Sequence, residues 1–156
     1  IPRLAREAKN MAEEQLVLFS LGNEEYAISI TQVKEIVQYE GTTKVPGTPE
    51  YMEGIINLRG KVLPLIDLAK RLALTAGKNS NRRALVIETA GREIGIVVDE
   101  VTEVIRLRDS AIAPLPATTK KRYLRGIGKE EKRLLILLDV DELFSEEEMQ
   151  ELKKVG

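Results

Sequence analysis

The sequence lacks two residue types that carry much of protein chemistry, because it contains no cysteine and no histidine. Without cysteine the chain can form no disulfide and offers no thiolate for nucleophilic attack, zinc or an iron–sulfur cluster. Without histidine it lacks the commonest general base and the commonest transition-metal ligand. Carboxylates, lysines and tyrosines remain available for catalysis. The two absences nevertheless favour a binding protein over an enzyme, and we expect no metal and no cofactor.

Charge and length exclude further classes of protein. The chain has 156 residues, with 24 basic against 25 acidic side chains, so no overall field attracts nucleic acid or an anionic membrane. No apolar run approaches the ~20 residues that a membrane helix requires. Residues 1–10 lack the apolar core of a signal peptide, and Met11 shortly precedes a clean strand pattern. We therefore expect a cytoplasmic protein folded over residues 11–156, with 1–10 a non-native or disordered extension.

An internal repeat organises the chain. Residues 16–37 align with residues 84–105 at an offset of 68 without a gap, and residue class agrees nearly throughout although only four positions are identical. Further blocks follow in the same order: 45–46 on 113–114 and, after a four-residue insertion, 51–55 on 123–127 and 61–68 on 133–140. Ordered blocks near one offset indicate a duplicated module.

Each copy has the pattern of five short strands. In the first copy two apolar runs flank a Gly-Asn turn, a third apolar run follows, and a second hairpin turns at Arg59-Gly60. Short strands joined by tight turns are typical of a small closed barrel, because closure removes the sheet edges. The sequence predicts a mainly β protein with one barrel over residues 16–74, a second over 83–145, and residues 75–81 as the linker.

Few helices are expected. Asp67 follows an apolar strand and is placed to cap a short helix over 68–73. Ser145 and Glu148 have the spacing of a capping box, in which each residue satisfies a backbone N–H of the other. This pattern predicts a C-terminal helix over residues 146–154.

Two local patterns allow chemistry other than binding. Asp139 and Asp141 are two apart at a strand end and could together hold a cation or act in hydrolysis. A hard cation requires several oxygen ligands, so a strand exit followed by a helix-start carboxylate is the favoured interpretation. Residues 126–129 resemble a phosphate-binding loop, but they lack its glycine spacing and the following Ser or Thr.

The basic segment 120–133 leaves a second function open. It carries seven basic residues against two acidic ones. A nucleic-acid-binding β-barrel protein would use such a segment, but it would normally interleave aromatic side chains, and only Tyr123 is present. A solvated basic loop is the favoured interpretation, with nucleic-acid binding as the alternative.

The two copies differ most at the second hairpin turn. Residues 54–60 read Gly-Ile-Ile-Asn-Leu-Arg-Gly, whereas residues 126–132 read Gly-Ile-Gly-Lys-Glu-Glu-Lys. Arg59-Gly60 has the sequence of a tight turn with an exposed arginine. An arginine at a hairpin tip beside a groove between barrels can also bind carboxylates bidentately. The difference predicts that this surface of the first copy has a function of its own.

The ordered set of motifs resembles CheW, the family of bacterial chemotaxis coupling proteins. The resemblance covers about residues 15–152. It rests on residues 16–28, Val33-x-Glu35-Ile36, residues 54–60 and Pro64-x-x-Asp67-Leu68 in the first copy, and on residues 95–101 and 123–128 in the second. It implies two pseudo-repeated five-stranded SH3-like β-barrels packed together, in agreement with the repeat.

The resemblance also implies a function: a non-enzymatic adaptor that links chemoreceptors to the histidine kinase CheA at arrays on the inner face of the membrane. It would bind the kinase regulatory domain and the cytoplasmic tip of the methyl-accepting chemoreceptor. Receptor contact in the family lies in the groove between the barrels, and the matching positions are Val33, Glu35, Ile36, Gly54, Arg59 and Val104. The kinase surface would include Gly41, Thr43, Val45 and Pro46, in a loop that matches the family less closely.

Overall fold

The computed structural model of the chain describes residues 13–74, 82–116, 119 and 121–154. The predicted extension 1–10 and the predicted linker 75–81 lie outside the described residues. The elements of the first half are β1 (Glu13–Leu21), β2 (Glu24–Ser29), a 3₁₀ turn (Ile30–Gln32), β3 (Val33–Val37), β4 (Met52–Leu58), β5 (Lys61–Asp67) and α1 (Leu68–Arg71).

The second half repeats this order. Its elements are β6 (Arg83–Thr89), β7 (Arg92–Val98), β8 (Glu100–Arg108), a 3₁₀ turn (Asp109–Ala111), β9 (Ile112–Ala113), β10 (Leu124–Glu130), β11 (Arg133–Leu138), a 3₁₀ turn (Val140–Glu142) and α2 (Glu146–Lys153). The prediction of a mainly β fold with few short helices and a C-terminal helix is confirmed.

The strands form two sheets, which exchange hairpins between the halves. One sheet has the order β8-β1-β2-β11-β10-β9 and the other β3-β6-β7-β5-β4. Each hairpin at the start of a half therefore lies between strands of the other half, with parallel pairings of β2 to β11 and of β7 to β5. Two SH3-like barrels are consistent with this architecture. We call the barrel of β3–β7 the Arg59 barrel and the other the Glu131 barrel, after the residues at equivalent hairpin turns.

The predicted division into barrels over 16–74 and 83–145 does not follow the sheets. The β1–β2 hairpin pairs with β8 and β11 rather than with β3. A three-residue 3₁₀ turn at Ile30–Gln32 carries the chain from β2 in one sheet to β3 in the other. The repeat offset is the same whether a hairpin stays with its own half or crosses, and for this reason the sequence pattern could not reveal the exchange.

Three apolar cores hold the sheets together. One fills the Glu131 barrel, one fills the Arg59 barrel, and the largest lies between the sheets. The sequence of strand β1 is continuously apolar because its two faces line different cores. Leu16 and Leu18 belong to a barrel interior, whereas Val17 and Phe19 belong to the core between the sheets. Both faces of the strand are buried, and burial of apolar surface is the main stabilising contribution.

The helix caps follow the predicted pattern. The Asp67 carboxylate accepts from the backbone N–H of Lys70 at 3.2 Å, although the helix ends at Arg71 rather than 73. Ser145 and Glu148 form the complete capping box at the start of α2. No helix in the described part of the chain is long and apolar enough to span a membrane.

Candidate functional site

Arg59 lies in the two-residue turn between β4 and β5, flanked by the pair Leu58 and Lys61. Arg59 and Gly60 both have left-handed backbones, with φ of 50° and 83°. These angles define the turn that suits the twist of a hairpin. The Asn57 side-chain oxygen accepts from the Gly60 N–H at 2.8 Å, which fixes the turn further. The Arg59 side chain is 68% exposed and is held at the tip of a rigid hairpin.

Glu35 and Arg59 form a bidentate ion pair. The Arg59 Nη1 donates to Glu35 Oε2 at 3.2 Å, and its Nη2 donates to Oε1. The hydrogen bonds from Arg59 lower the pKa of the Glu35 carboxyl, and those same bonds raise the pKa of the guanidinium. Glu35 is on β3 and Arg59 follows β4, the two edge strands of the sheet. The pair therefore joins the two edges that close the Arg59 barrel.

A second polar network joins the same two edges. The Tyr39 hydroxyl donates to Glu53 Oε2 at 2.6 Å, and Arg82 Nη2 contacts Glu53 Oε1 at 2.8 Å. Burial raises the pKa of the Tyr39 phenol, and its hydrogen bond to Glu53 raises the pKa further. Arg82 also reaches Asp67, the cap of α1, at 3.4 Å. The sequence did not indicate this network, because its members are far apart along the chain.

The other barrel closes with a related pair made from different positions. Glu103, the repeat equivalent of Glu35, contacts Arg133, which is the equivalent of Lys61 rather than of Arg59. The equivalent of Arg59 is Glu131, which has the same left-handed backbone with φ of 53°. The two turns thus share their geometry and carry opposite charges.

The predicted receptor-groove residues fall in three environments. Glu35 and Arg59 are brought into contact by the ion pair. Val33 is half-buried against the core between the sheets. Ile36 on β3 and Val104 on β8 are 44% and 49% exposed. They are repeat equivalents and lie on different sheets, one in each barrel.

Gly54 is buried. Its φ is 154°, and a Cβ there would lie 2.7 Å from the Thr42 side chain and 2.7 Å from the Thr43 carbonyl oxygen. The glycine therefore lets the loop at Thr42 and Thr43 cross closely over β4. The absence of a side chain at Gly54 thus seats this loop against β4.

The predicted kinase loop follows β3 and is tied to β4. Thr43 exchanges two backbone hydrogen bonds with Ile55, at 2.9 and 2.8 Å. Gly41 and Pro46 are exposed and Val45 is half-buried. The loop is thus anchored at Thr43 and presents its flanking residues to solvent.

The alternative chemistries find little support in the geometry. Asp139 caps the following 3₁₀ turn by accepting from the Asp141 N–H at 3.0 Å, as the favoured interpretation predicts. No cluster of three or more potential metal ligands exists among the described residues. Residues 126–129 lie inside β10 and pair with β11, so they form no loop that could surround a phosphate.

The basic segment is partly neutralised by carboxylates. Arg125 makes a bidentate pair with Glu14 at 3.0 and 2.9 Å. Arg133 contacts Glu25, Glu103 and Glu130. Lys120, the first residue of the segment, lies outside the described residues. Arg125 and Arg133 are thus already paired with carboxylates, which makes them less available to contact phosphates as the nucleic-acid alternative requires.

Two exposed apolar side chains form a feature that the sequence patterns described above do not indicate. Val62 is 48% exposed and Leu134 is 62% exposed. They are equivalent residues of β5 and β11 in the two copies. The repeat offset could have found them, because an apolar residue kept at the outer face of both copies stands out once the strands are aligned.

Comparison with known proteins agrees with this architecture. A family model described as "CheW-like domain" matches residues 15–148. The chain is 39% identical to the chemotaxis protein CheW of Klebsiella aerogenes over 87% of this chain and 84% of that protein. It is 40% identical to CheW of Helicobacter pylori, over 85% and 82%. The crystal structure of the scaffolding protein TtCheW from Thermoanaerobacter tengcongensis superposes with a TM-score of 0.78 at 39% identity, covering 85% of this chain and 92% of that one. The chain therefore belongs to the CheW family of chemotaxis scaffold proteins, as the sequence resemblance predicted.

Proposed function

We propose that this chain is an adaptor that couples chemoreceptors to the histidine kinase CheA, binding the kinase regulatory domain and the receptor's cytoplasmic tip. It performs this role at receptor arrays on the cytoplasmic face of the membrane and catalyses no reaction. The observation that carries the proposal is the exposed Arg59, held by a left-handed turn and by its bidentate pair with Glu35. A preorganised guanidinium loses little conformational freedom on binding.

The receptor surface combines this ion pair with apolar contacts. Ile36 and Val104 offer exposed apolar side chains that can pack on a helical receptor tip. Glu35 and Arg59 add charge complementarity, which contributes specificity and association rate. Val33 supports the strand from the core side, and Gly54 acts by seating the neighbouring loop.

The kinase surface is the loop that contains Gly41, Thr43, Val45 and Pro46. Its support is the anchorage of Thr43 to Ile55, with exposed residues on both sides. Anchored loops can present contact residues without a large ordering cost on binding. The closeness of this loop to Gly54 links the two proposed surfaces.

Co-sedimentation with receptor fragments and CheA tests the proposal. The wild-type chain is expected to enter one complex with both partners. Arg59→Ala is expected to weaken receptor association by about tenfold, the effect of losing a charge-assisted hydrogen bond, while CheA binding persists. A chain that binds neither partner would overturn the adaptor function. Binding of a labelled oligonucleotide at low salt, reduced by Lys121→Ala and Arg122→Ala, would instead support the nucleic-acid alternative.

A further inference from the structure

An open cleft lies at the end of the Arg59 barrel, between the β4–β5 turn and the β6–β7 turn. Its volume is about 710 Å³. We call it the turn cleft, and its lining residues are Lys34, Leu58, Arg59, Lys61, Val62, Leu63, Glu88, Gly91, Arg92 and Glu93. Four of these side chains are cationic and two are carboxylates, so the cleft has an excess of positive charge.

Two of the four cations are already engaged within the protein. Lys34 pairs with Glu88 and, at 3.7 Å, with Glu93. These contacts raise the pKa of the Lys34 ammonium, and the hydrogen bond that Lys34 donates to Glu88 contributes most. Arg59 is held by Glu35. Both carboxylates that line the cleft, Glu88 and Glu93, are therefore engaged by Lys34.

Lys61 and Arg92 form no ion pair within the described part of the chain. Lys61 is exposed on β5, beside the exposed Val62. The Nε of Arg92 is buried and has no hydrogen-bond acceptor. A guanidinium normally has its donors satisfied by carboxylates, carbonyls or water. The buried Nε cannot be reached from the cleft, but Arg92 as a whole is only half-buried, so its terminal nitrogens and the exposed Lys61 ammonium can bind an added acceptor.

The equivalent end of the Glu131 barrel lacks this charge. The repeat places Glu131 opposite Arg59 and Glu24 opposite Arg92, so two cations of the cleft become carboxylates. Lys34 corresponds to Thr102, and only Lys61 keeps a cationic equivalent, Arg133. That arginine is engaged by Glu25, Glu103 and Glu130. The excess of positive charge belongs to one barrel only, although the two barrels share their backbone plan.

We propose that the turn cleft binds an acidic segment of a partner protein, with carboxylates on Lys61 and Arg92 and an apolar side chain on Val62. The proposal rests on the proposed adaptor function, since it assigns the cleft to a protein partner. Leu58 and Leu63 provide apolar lining beside Val62. A peptide segment in which two carboxylates flank an apolar residue is complementary to two cations beside this apolar lining.

The two internal carboxylates favour a peptide over a polyanion. Glu88 and Glu93 line the same cleft as the cations. A phosphate chain with a charge at every unit would meet both of them, and like charges in contact are unfavourable. A peptide can place its carboxylates at the two unengaged cations and present neutral groups to the rest.

Titration of the ¹⁵N-labelled full chain with the capped peptide Glu-Leu-Glu, monitored by NMR, tests the proposal. Saturating shifts are expected at Gly91, Arg92 and Val62, with a dissociation constant of about 1 mM or lower. The Gln-Leu-Gln peptide is expected to cause no such shifts. Lys61→Ala, which removes an exposed side chain and leaves the fold intact, is expected to weaken binding by about threefold, and Arg92→Ala by about tenfold.

Lys132→Ala is the matched control, because it removes an exposed lysine from the equivalent turn of the other barrel and is expected to change nothing. Three results would each overturn the proposal. They are equal shifts with both peptides, no binding of Glu-Leu-Glu at concentrations of about 1 mM, and saturable binding of inorganic phosphate at the same residues. A dimer in solution that dissociates in Lys61→Ala would assign the cleft to a second copy of the chain, and this result would also overturn the proposal. All variants keep Arg59, so loss of peptide binding with retained receptor binding separates this proposal from the adaptor function.

Discussion

Arg59 and Glu131 occupy the same position in two equivalent hairpin turns, with left-handed φ angles of 50° and 53°, and carry opposite charges. The shared backbone shows that this conformation is a requirement of the turn rather than of a particular side chain. The charge is therefore the property that distinguishes the two barrel ends. Function that depends on Arg59 is expected at one end of the molecule only.

The close approach at Gly54 predicts a large cost for any side chain there. Gly54→Ala combines a left-handed backbone with contacts of 2.7 Å to Thr42 and to the Thr43 carbonyl. We expect it to lower the free energy of unfolding by about 2 kcal/mol or more. Gly41→Ala is the matched control, because a Cβ there meets nothing within 4 Å. Equal denaturation midpoints for the two variants would contradict the assigned role of Gly54.

The ion pair between Glu35 and Arg59 predicts a pH dependence. Hydrogen bonds from Arg59 lower the pKa of Glu35 below its ordinary value of 4.5. The stabilisation from this pair is therefore present above pH 4.5 and is lost as the pH falls through the lowered pKa. An NMR titration of the Glu35 carboxyl is expected to show the lowered pKa in the wild type and in Lys61→Ala. Arg59→Ala is expected to return the pKa toward 4.5, and a pKa that stays lowered would refute the pairing in solution.

The exchange of hairpins predicts that neither half folds alone. Residues 13–74 produced without the second half would leave β3 and β5 without β6 and β7, and would expose both apolar faces of the β1–β2 hairpin. Such a fragment is expected to give a poorly dispersed NMR spectrum. Mixing it with residues 82–154 is expected to restore native dispersion. A well-dispersed spectrum from either half alone would argue against the exchanged sheets.

The role of Asp139 as a cap and the hydrolase alternative predict different results for substitutions at this residue. Asn caps helix starts about as well as Asp, so Asp139→Asn is expected to retain both stability and partner binding. Asp139→Ala is expected to lose about 1 kcal/mol of unfolding free energy. Thermal unfolding and a receptor pull-down of both variants check this. An Asp139→Asn variant that binds its partners yet abolishes signalling would point to chemistry at this carboxylate.

The sequence alone indicated the duplicated module, the strands and the caps. These depend on local patterns: apolar alternation, turn residues and the Ser145–Glu148 spacing. It also indicated that the turn at Arg59 distinguishes the copies, since aligned positions can be compared directly.

The remaining features depend on long-range pairing. Which sheet receives β1 and β2 is decided by the core between the sheets, and the same apolar run would suit either partner. The contacts of Tyr39 with Glu53 and of Glu53 with Arg82 join three separate parts of the chain. The burial of Gly54 likewise depends on the loop at Thr42 that crosses it, which a local pattern does not indicate.

Titration of a receptor-tip fragment into the wild-type chain, Arg59→Ala and Glu131→Ala tests the central claim most directly. The two substitutions shorten side chains at equivalent turn positions, so they impose similar strain on the fold. We expect Arg59→Ala to bind the receptor tip about tenfold more weakly than the wild type, with thermal unfolding lowered only by the small loss of an exposed ion pair, and Glu131→Ala to bind as the wild type does. Equal affinities for all three chains would contradict the assignment of receptor binding to the Arg59 barrel.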